Sequence, residues 1–429
     1  MSTLPSVNLR KIQMFRFVLP ALAALAMGVS TLLFSNTAIA QIPLTLPETV
    51  NIALKINDPS VAIFDERAAA FEDRAIAESQ LPDPVISGAL ANFPLYTFDY
   101  NREGMTQLKF GIRQKLPKGN TLALTRAKRQ TQAQDQRLQK ILRESQIVMQ
   151  ARQTWLELFY WREARKLTVQ SQNKVSELGG VAKAVYASGR SSLQDVLRVD
   201  LETTALSAKL IDIDRNADIA RANLERLIGR VDGARDLSPG FPVLPKIISE
   251  AEIRRKLAAH PSMSILEARI KTRSRDVDIA KQQYKPGFSF DASYGLRDSR
   301  SDLGSVGVTV ELPLFSKKNK DYALSASKRM RAAQRLERDI QALDLERSLR
   351  REWAQYTRLG ERIIAYETGV LQRAKETSEA AMTAYENELA DFSELVRAEL
   401  AVLDIELTLH RLRIDRTVAQ ANLLYLSGA

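Results

Sequence analysis

Few side chains in this sequence could do covalent or metal chemistry, and their placement argues against either. There are two histidines and no cysteine in 429 residues. His260 stands beside Pro261 at a helix start and His410 lies inside a long helical run, a separation that is not ligand spacing, so both read as structural. Without cysteine there is no disulfide, no thiolate metal site and no Cys-linked N-terminal lipid. The carboxylates are interleaved with cations, as in Glu346-Arg347 and Arg350-Arg351-Glu352, the pattern of a paired helix surface. There is no glycine-rich phosphate loop and no local Ser/His/Asp motif, and the eight methionines are scattered. The expectation is a non-enzyme without cofactor or metal.

If catalysis is not the use of this chain, its organisation must be. Arg10, Lys11 and Arg16 precede the apolar run Phe17 to Phe34 and then Ala38-Ile39-Ala40, which together read as a secretory signal peptide over residues 1–40. Its removal would take three cations and leave the formal charge of +11 at about +8, spread over long helices as a solvated surface. An exported chain with no aromatic-basic motif is not expected to bind nucleic acid. No other stretch could form a membrane-spanning helix, so insertion into a membrane would require strands.

The mature sequence is written twice, with an offset of about 199 residues. Tyr186-Ala-Ser-Gly-Arg-Ser-Ser-Leu-Gln-Asp-Val-Leu-Arg198 is answered by Tyr385-Glu-Asn-Glu-Leu-Ala-Asp-Phe-Ser-Glu-Leu-Val-Arg397, Trp155 by Trp353, and Asp58-Pro59-Ser60 by His260-Pro261-Ser262. So long a period is a duplication rather than a solenoid repeat. We divide the chain into a first repeat at 41–229 (hairpin of strands 85–116, helical hairpin 119–229), a linker at 230–248, and a second repeat at 249–429 (strands 287–315, helices 318–428).

Residues 121–178, 190–228, 314–359 and 370–427 contain neither Gly nor Pro and predict long helices. A run of about sixty residues would reach roughly 90 Å and needs a partner along its length. Ile147, Ala151, Trp155 and Leu158, and Leu400, Leu403, Leu407, Ile414 and Ala421, supply contact stripes. Shorter helices are expected near 61–81 and 262–284. Between the helices the period falls to two. Phe288, Phe290, Ala292, Tyr294 and Leu296, then Val306, Val308, Val310, Leu312 and Leu314, alternate with mainly polar or small residues. Residues 85–100 and 105–116 form a similar pair, with Tyr96, Phe98 and Tyr100 near the turn, where an aromatic girdle would sit. Strands of about ten residues can cross an outer membrane, but four cannot close a barrel, so spanning would require several chains. Phe290 and Val308 are then expected to face lipid, and Asp291 and Thr309 the lumen.

Signal peptide, duplicated helical hairpins and two strand hairpins together resemble the TolC family of outer-membrane efflux channels. The motif Tyr186-x-x-Gly189-x-x-x-Leu193-x-Asp195-Val196-Leu197 is similar to the family's turn between long helices at the periplasmic tip. The segment Leu81-Pro-Asp-Pro-Val-Ile-Ser-Gly-Ala-Leu-Ala-Asn-Phe-Pro94 is similar to the lead into the first strand in the heavy-metal, CzcC and CusC, branch. The resemblance implies a mainly helical fold with a small β part. Three copies would close a twelve-stranded transmembrane β-barrel that continues as a periplasmic α-barrel. It also implies a passive duct for metal cations or small toxic compounds, fed by a periplasmic adaptor and an inner-membrane pump of the RND type. The alternative is a periplasmic coiled-coil scaffold or adaptor without a pore.

By resemblance, Tyr385 matches the family's gate tyrosine, Asp195 its aspartate partner and Glu394 the first acid of the constriction ring. Glu388 stands where the family has a turn glycine, Ala390 where it has a linking arginine, and Arg397 where it has the second ring acid. The adaptor would meet the tips at Gly189, Arg190, Ser191, Leu193, Leu389, Ala390 and Phe392.

Overall fold

The computed structural model describes residues 42–189, 192–387 and 389–428. The expected signal peptide lies outside them, as do Arg190, Ser191 and Glu388. Ten α-helices and four strands are assigned among the described residues. The helices are α1 (Leu46–Lys55), α2 (Pro59–Ala77), α3 (Thr121–Ala187), α4 (Leu193–Ile228), α5 (Arg230–Gly233), α6 (Glu250–Lys256), α7 (Pro261–Gln282), α8 (Lys317–Ala365), α9 (Leu371–Glu386) and α10 (Phe392–Ser427). The strands are β1 (Val85–Ala91), β2 (Gln107–Leu116), β3 (Gly287–Leu296) and β4 (Leu303–Glu311).

Helix α3 has 67 residues and is therefore about 100 Å long. It continues through Gly179 and Gly180, where the sequence pattern stopped at 178. The reason is packing: a Cβ on Gly179 would sit 2.6 Å from Val199 Cγ1, so glycine lets α3 and α4 approach closely. The helix costs little by containing it, because α4 lies alongside. Between α8 and α9, Tyr366–Val370 form one π-helical turn, an extra residue absorbed within an otherwise continuous rod. Pro59 and Pro261 occupy the first helical positions of α2 and α7, with Asp58 and His260 as side-chain caps. Helix α1, capped by Thr45, has no counterpart in the sequence reading.

The anticipated stripes form the core. Ile147, Ala151, Trp155 and Leu158 are buried, with Leu224, Ile228, Ile414 and Leu424 around them. Trp155 stacks on Phe159 at 5.2 Å and donates its indole N–H to the Leu44 carbonyl at 3.2 Å. Leu403 and Leu407 join a second cluster with Val175, Leu206 and Phe392 nearer the helix tips, against which Leu400 is half-buried. A third cluster, built by Ile253, Leu349 and Leu423, has Trp353 packed on it, so the two tryptophans of the duplication serve different cores.

The strands form one antiparallel sheet in the order β1-β2-β3-β4, and the β2–β3 pairing joins the two halves of the duplication. β1 ends earlier than alternation suggests. Asn92 takes φ 56° and its side chain donates to the Met105 carbonyl, turning the chain before Phe93-Pro94. β4 begins earlier, at Leu303, because Gly304 and Ser305 carry no apolar signal, and it ends at Glu311, ahead of Pro313. Cross-strand register puts Ile86, Leu90, Leu108, Phe110, Ile112, Leu116, Phe288, Phe290, Tyr294, Leu296, Val306, Val308 and Val310 on one face. That face is uncovered, Val306 being 89% exposed. Every charged residue of the four strands lies on the other. Strands β1 and β4 are the open edges of the sheet.

Candidate functional site: the strand sheet and the helix tips

The two ends of the helical rods carry the two candidate sites. At one end is the sheet, whose polar face is organised by charge. The Arg113 guanidinium pairs with Asp291, which also accepts from the Thr309 hydroxyl at 3.1 Å, and Lys118 pairs with Glu311. Phe290 and Val308 are paired neighbours on the apolar face, opposite to Asp291. Beyond the strands, Tyr96 and Phe98 are exposed, while the Tyr100 hydroxyl donates to the Leu296 carbonyl.

At the other end lie two helix tips. In the first, Gly189 takes φ 76°, a conformation that favours glycine. Ser192 then caps α4 in a reciprocal box: its hydroxyl accepts from the Asp195 N–H, and the Asp195 carboxylate accepts from Ser192 N–H and hydroxyl. The Ser-x-x-Asp spacing is a legible helix-start signal, so the structural duty of Asp195 was open to reading from sequence. In the second tip, the Leu389 N–H donates to the Ala384 carbonyl at 2.8 Å, and Asp391 occupies the N-cap position of α10.

Tyr385 is placed beside this junction, its ring edge-on to Phe392 at 5.3 Å. Its hydroxyl is buried and has no hydrogen-bond partner among the described residues. Burial, then the field of the Asp195 carboxylate, raise its pKa above the ordinary tyrosine value. The fold thus brings Tyr385 and Asp195 into electrostatic reach, but the expected hydroxyl–carboxylate bond is not formed within the chain. Glu394 and Arg397 are exposed one helical turn apart on α10, with no ion pair to a described residue. Of the tip residues, Gly189, Leu193 and Leu389 are exposed, Leu389 at 82%, and Ala390 is half-buried. Phe392 is a correction to the expected contact surface. It is buried, because the first turn of α10 folds its ring into the tip core, so it supports the tip instead of presenting it. The exposed Leu197, which belongs to the tip motif but not to the expected adaptor contacts, and Leu201 extend the apolar surface along α4.

Both histidines sit in aromatic packing. His260 Nδ1 accepts from the Ser262 N–H, and its ring meets Tyr425 at 5.1 Å. His410 lies 5.9 Å from both Phe159 and Tyr160. Burial lowers the pKa of each. At His410 the neighbouring Arg413 and Arg162 act in the same direction, and Glu163 opposes them. Since the folded pKa is below the unfolded one, the unfolded chain takes up the proton first, and stability present above about pH 6.5 is lost as pH falls. The thermal midpoint should therefore drop between pH 7.5 and pH 5.5, a window above the carboxylate range. His260→Asn, which keeps a capping side chain, should reduce that drop.

Among the described residues, no helix is long and apolar enough to cross a membrane, and no group of three or more His, Asp or Glu could hold a metal ion. The family model described as Outer membrane efflux protein matches residues 253–429. No curated protein matches the sequence significantly. Among solved structures, a membrane protein from Pseudomonas aeruginosa is 17% identical with a TM-score of 0.77, covering 90% of each chain. The outer membrane protein VceC from Vibrio cholerae is 16% identical at 0.75, covering 90% of this chain and 96% of its own. CusC, described with its folding and transmembrane channel formation, is 13% identical at 0.74, covering 90% of this chain and 93% of its own. The fold is that of TolC-type channels, with paired long helices and a four-stranded contribution to a barrel. The second half of the chain thus matches the outer membrane efflux protein family, and the chain as a whole shares its fold with outer-membrane channels.

Proposed function

We propose that three copies of this chain form a passive export duct across the outer membrane and periplasm. A periplasmic adaptor at the helix tips and an inner-membrane pump would load it. The observation that carries this reading is the sheet: four strands, three of them nine or ten residues long and β1 seven, have one charge-free face, largely apolar and uncovered, and two unpaired edges. In lipid every strand edge must be paired, and β4 of one copy against β1 of the next closes a ring of twelve. Helices of about 100 Å continue such a ring into the periplasm. The exposed Leu193, Leu197 and Leu389 at the tips suit an adaptor's helical hairpins. The solved CusC structure makes a heavy-metal duct one candidate, and the inner-membrane pump would set the substrate.

The same tips would hold the gate, with Tyr385 beside Asp195 and the charges of Glu394 and Arg397 at the constriction. Buried hydroxyls are normally bonded. Because Tyr385 has no partner within the described chain, its bond in a closed gate would be made across a subunit boundary. Removing a bond of about 1.5 kcal/mol shifts an open-to-closed ratio roughly tenfold. In planar bilayers the parent should give discrete, mostly narrow channels, and Tyr385→Phe should raise their conductance. Asp195→Asn tests the neighbouring carboxylate's charge while leaving a polar group in the α4 cap. Unchanged conductance in both variants would exclude this pair from the gate, and absence of any channel would count against the duct.

A further inference from the structure

We infer that the strand section of the duct is an anion-preferring bore, set by Lys109 and Lys115 of β2, and that it suits small solutes bearing carboxylate, phosphate or sulfonate groups over metal cations. The inference rests on the duct reading and adds a substrate class to it. All five charged strand residues share the polar face: Lys109, Arg113, Lys115, Asp291 and Glu311. The two carboxylates are each engaged at close range, Asp291 with Arg113 and Thr309, and Glu311 with Lys118. Lys109 and Lys115 have no ion pair to a described residue, and neither is buried.

Register places the two lysines on either side of the Arg113–Asp291 pair, Lys109 opposite Gly295 and Lys115 opposite Ser289. The residues directly opposite are uncharged, and the carboxylates that feel the two lysines, Asp291 and Glu311, are each already paired at close range with Arg113 and Lys118, which leaves the polar face two cations in excess per chain. In a trimer the bore would carry a net excess of six positive charges, with Lys109 and Lys115 the cations that hold no ion pair. A charged cleft with low-dielectric walls concentrates counter-ions, and here those are anions. At the far end, Arg397 is exposed where the resemblance expects a ring acid, a change of the same sign.

The test reads local potential at the strands, independent of the gate. Ser293, on the polar face opposite Gly111 and Ser305, is changed to cysteine in this cysteine-free chain. The assembled protein in outer-membrane vesicles is treated with an anionic methanethiosulfonate (ethylsulfonate) and a cationic one (ethyltrimethylammonium). The rate ratio is normalised to that of a small thiol in solution. We expect the anionic reagent to be favoured about threefold or more at low salt, with the preference collapsing toward one in high salt and in Lys109→Gln/Lys115→Gln. A normalised ratio at or below one, or one that the double substitution leaves unchanged, overturns the inference. Val306→Cys, on the apolar face, should react with neither reagent. If Ser293→Cys reacts no faster than Val306→Cys, the water-filled bore itself is wrong and the duct reading falls with the inference.

Discussion

Val308→Arg should nearly abolish assembled protein in the outer-membrane fraction, whereas Thr309→Arg, one residue along, should leave it close to the parent level. Val308 lies on the uncovered apolar face, paired with Phe290, and a guanidinium there would have to enter lipid. Near the bilayer midplane that costs about 2–4 kcal/mol per site, and a trimer incurs it three times. Thr309 lies on the polar face, where an added arginine has water and the Asp291 carboxylate within reach. The comparison is made by quantifying membrane-extracted protein for the two variants at equal expression. Similar losses in both would remove the assignment of the faces.

The second large effect is expected in the helical core. Trp155→Ala should lower unfolding stability by about 3–5 kcal/mol, because it opens a cavity where the indole is only 1% exposed. The Leu44 carbonyl also loses one of its two donors, keeping the Ser238 N–H, and the stack on Phe159 is lost. Trp353→Ala should cost less, since that ring is only half-buried at the margin of its cluster. Denaturant titration of the detergent-extracted protein would rank the two. Equal costs would mean that the duplication carries equivalent cores, contrary to the packing seen.

Periodicity made most of the architecture legible. The rods, the change of period from 3.6 to 2 at the strands, and the separation of Phe290 and Val308 from Asp291 and Thr309 all follow from side-chain spacing, which local geometry enforces. What escaped was set by tertiary contact or by backbone conformation. Gly179 reads as a helix end until Val199 is seen against it. β1 reads as longer until Asn92 turns left-handed. The π-turn at Tyr366–Val370 leaves no sequence signature that periodicity could detect. The tips were the least legible part. Phe392 looked like a contact residue because it sits in a turn motif, and only packing shows that its ring faces inward. Asp195 drew attention as a gate residue, while its capping role was written three residues upstream in Ser192.

A duct built from this chain requires closure of its edge-exposed four-stranded sheet by further copies of itself. The most direct measurement is therefore the protein mass of the detergent-extracted, folded particle by light scattering with the detergent contribution subtracted. Three chains of the exported protein are predicted, giving twelve strands and no free edge. A fully folded monomer or dimer, with β1 and β4 left unpaired, would contradict it.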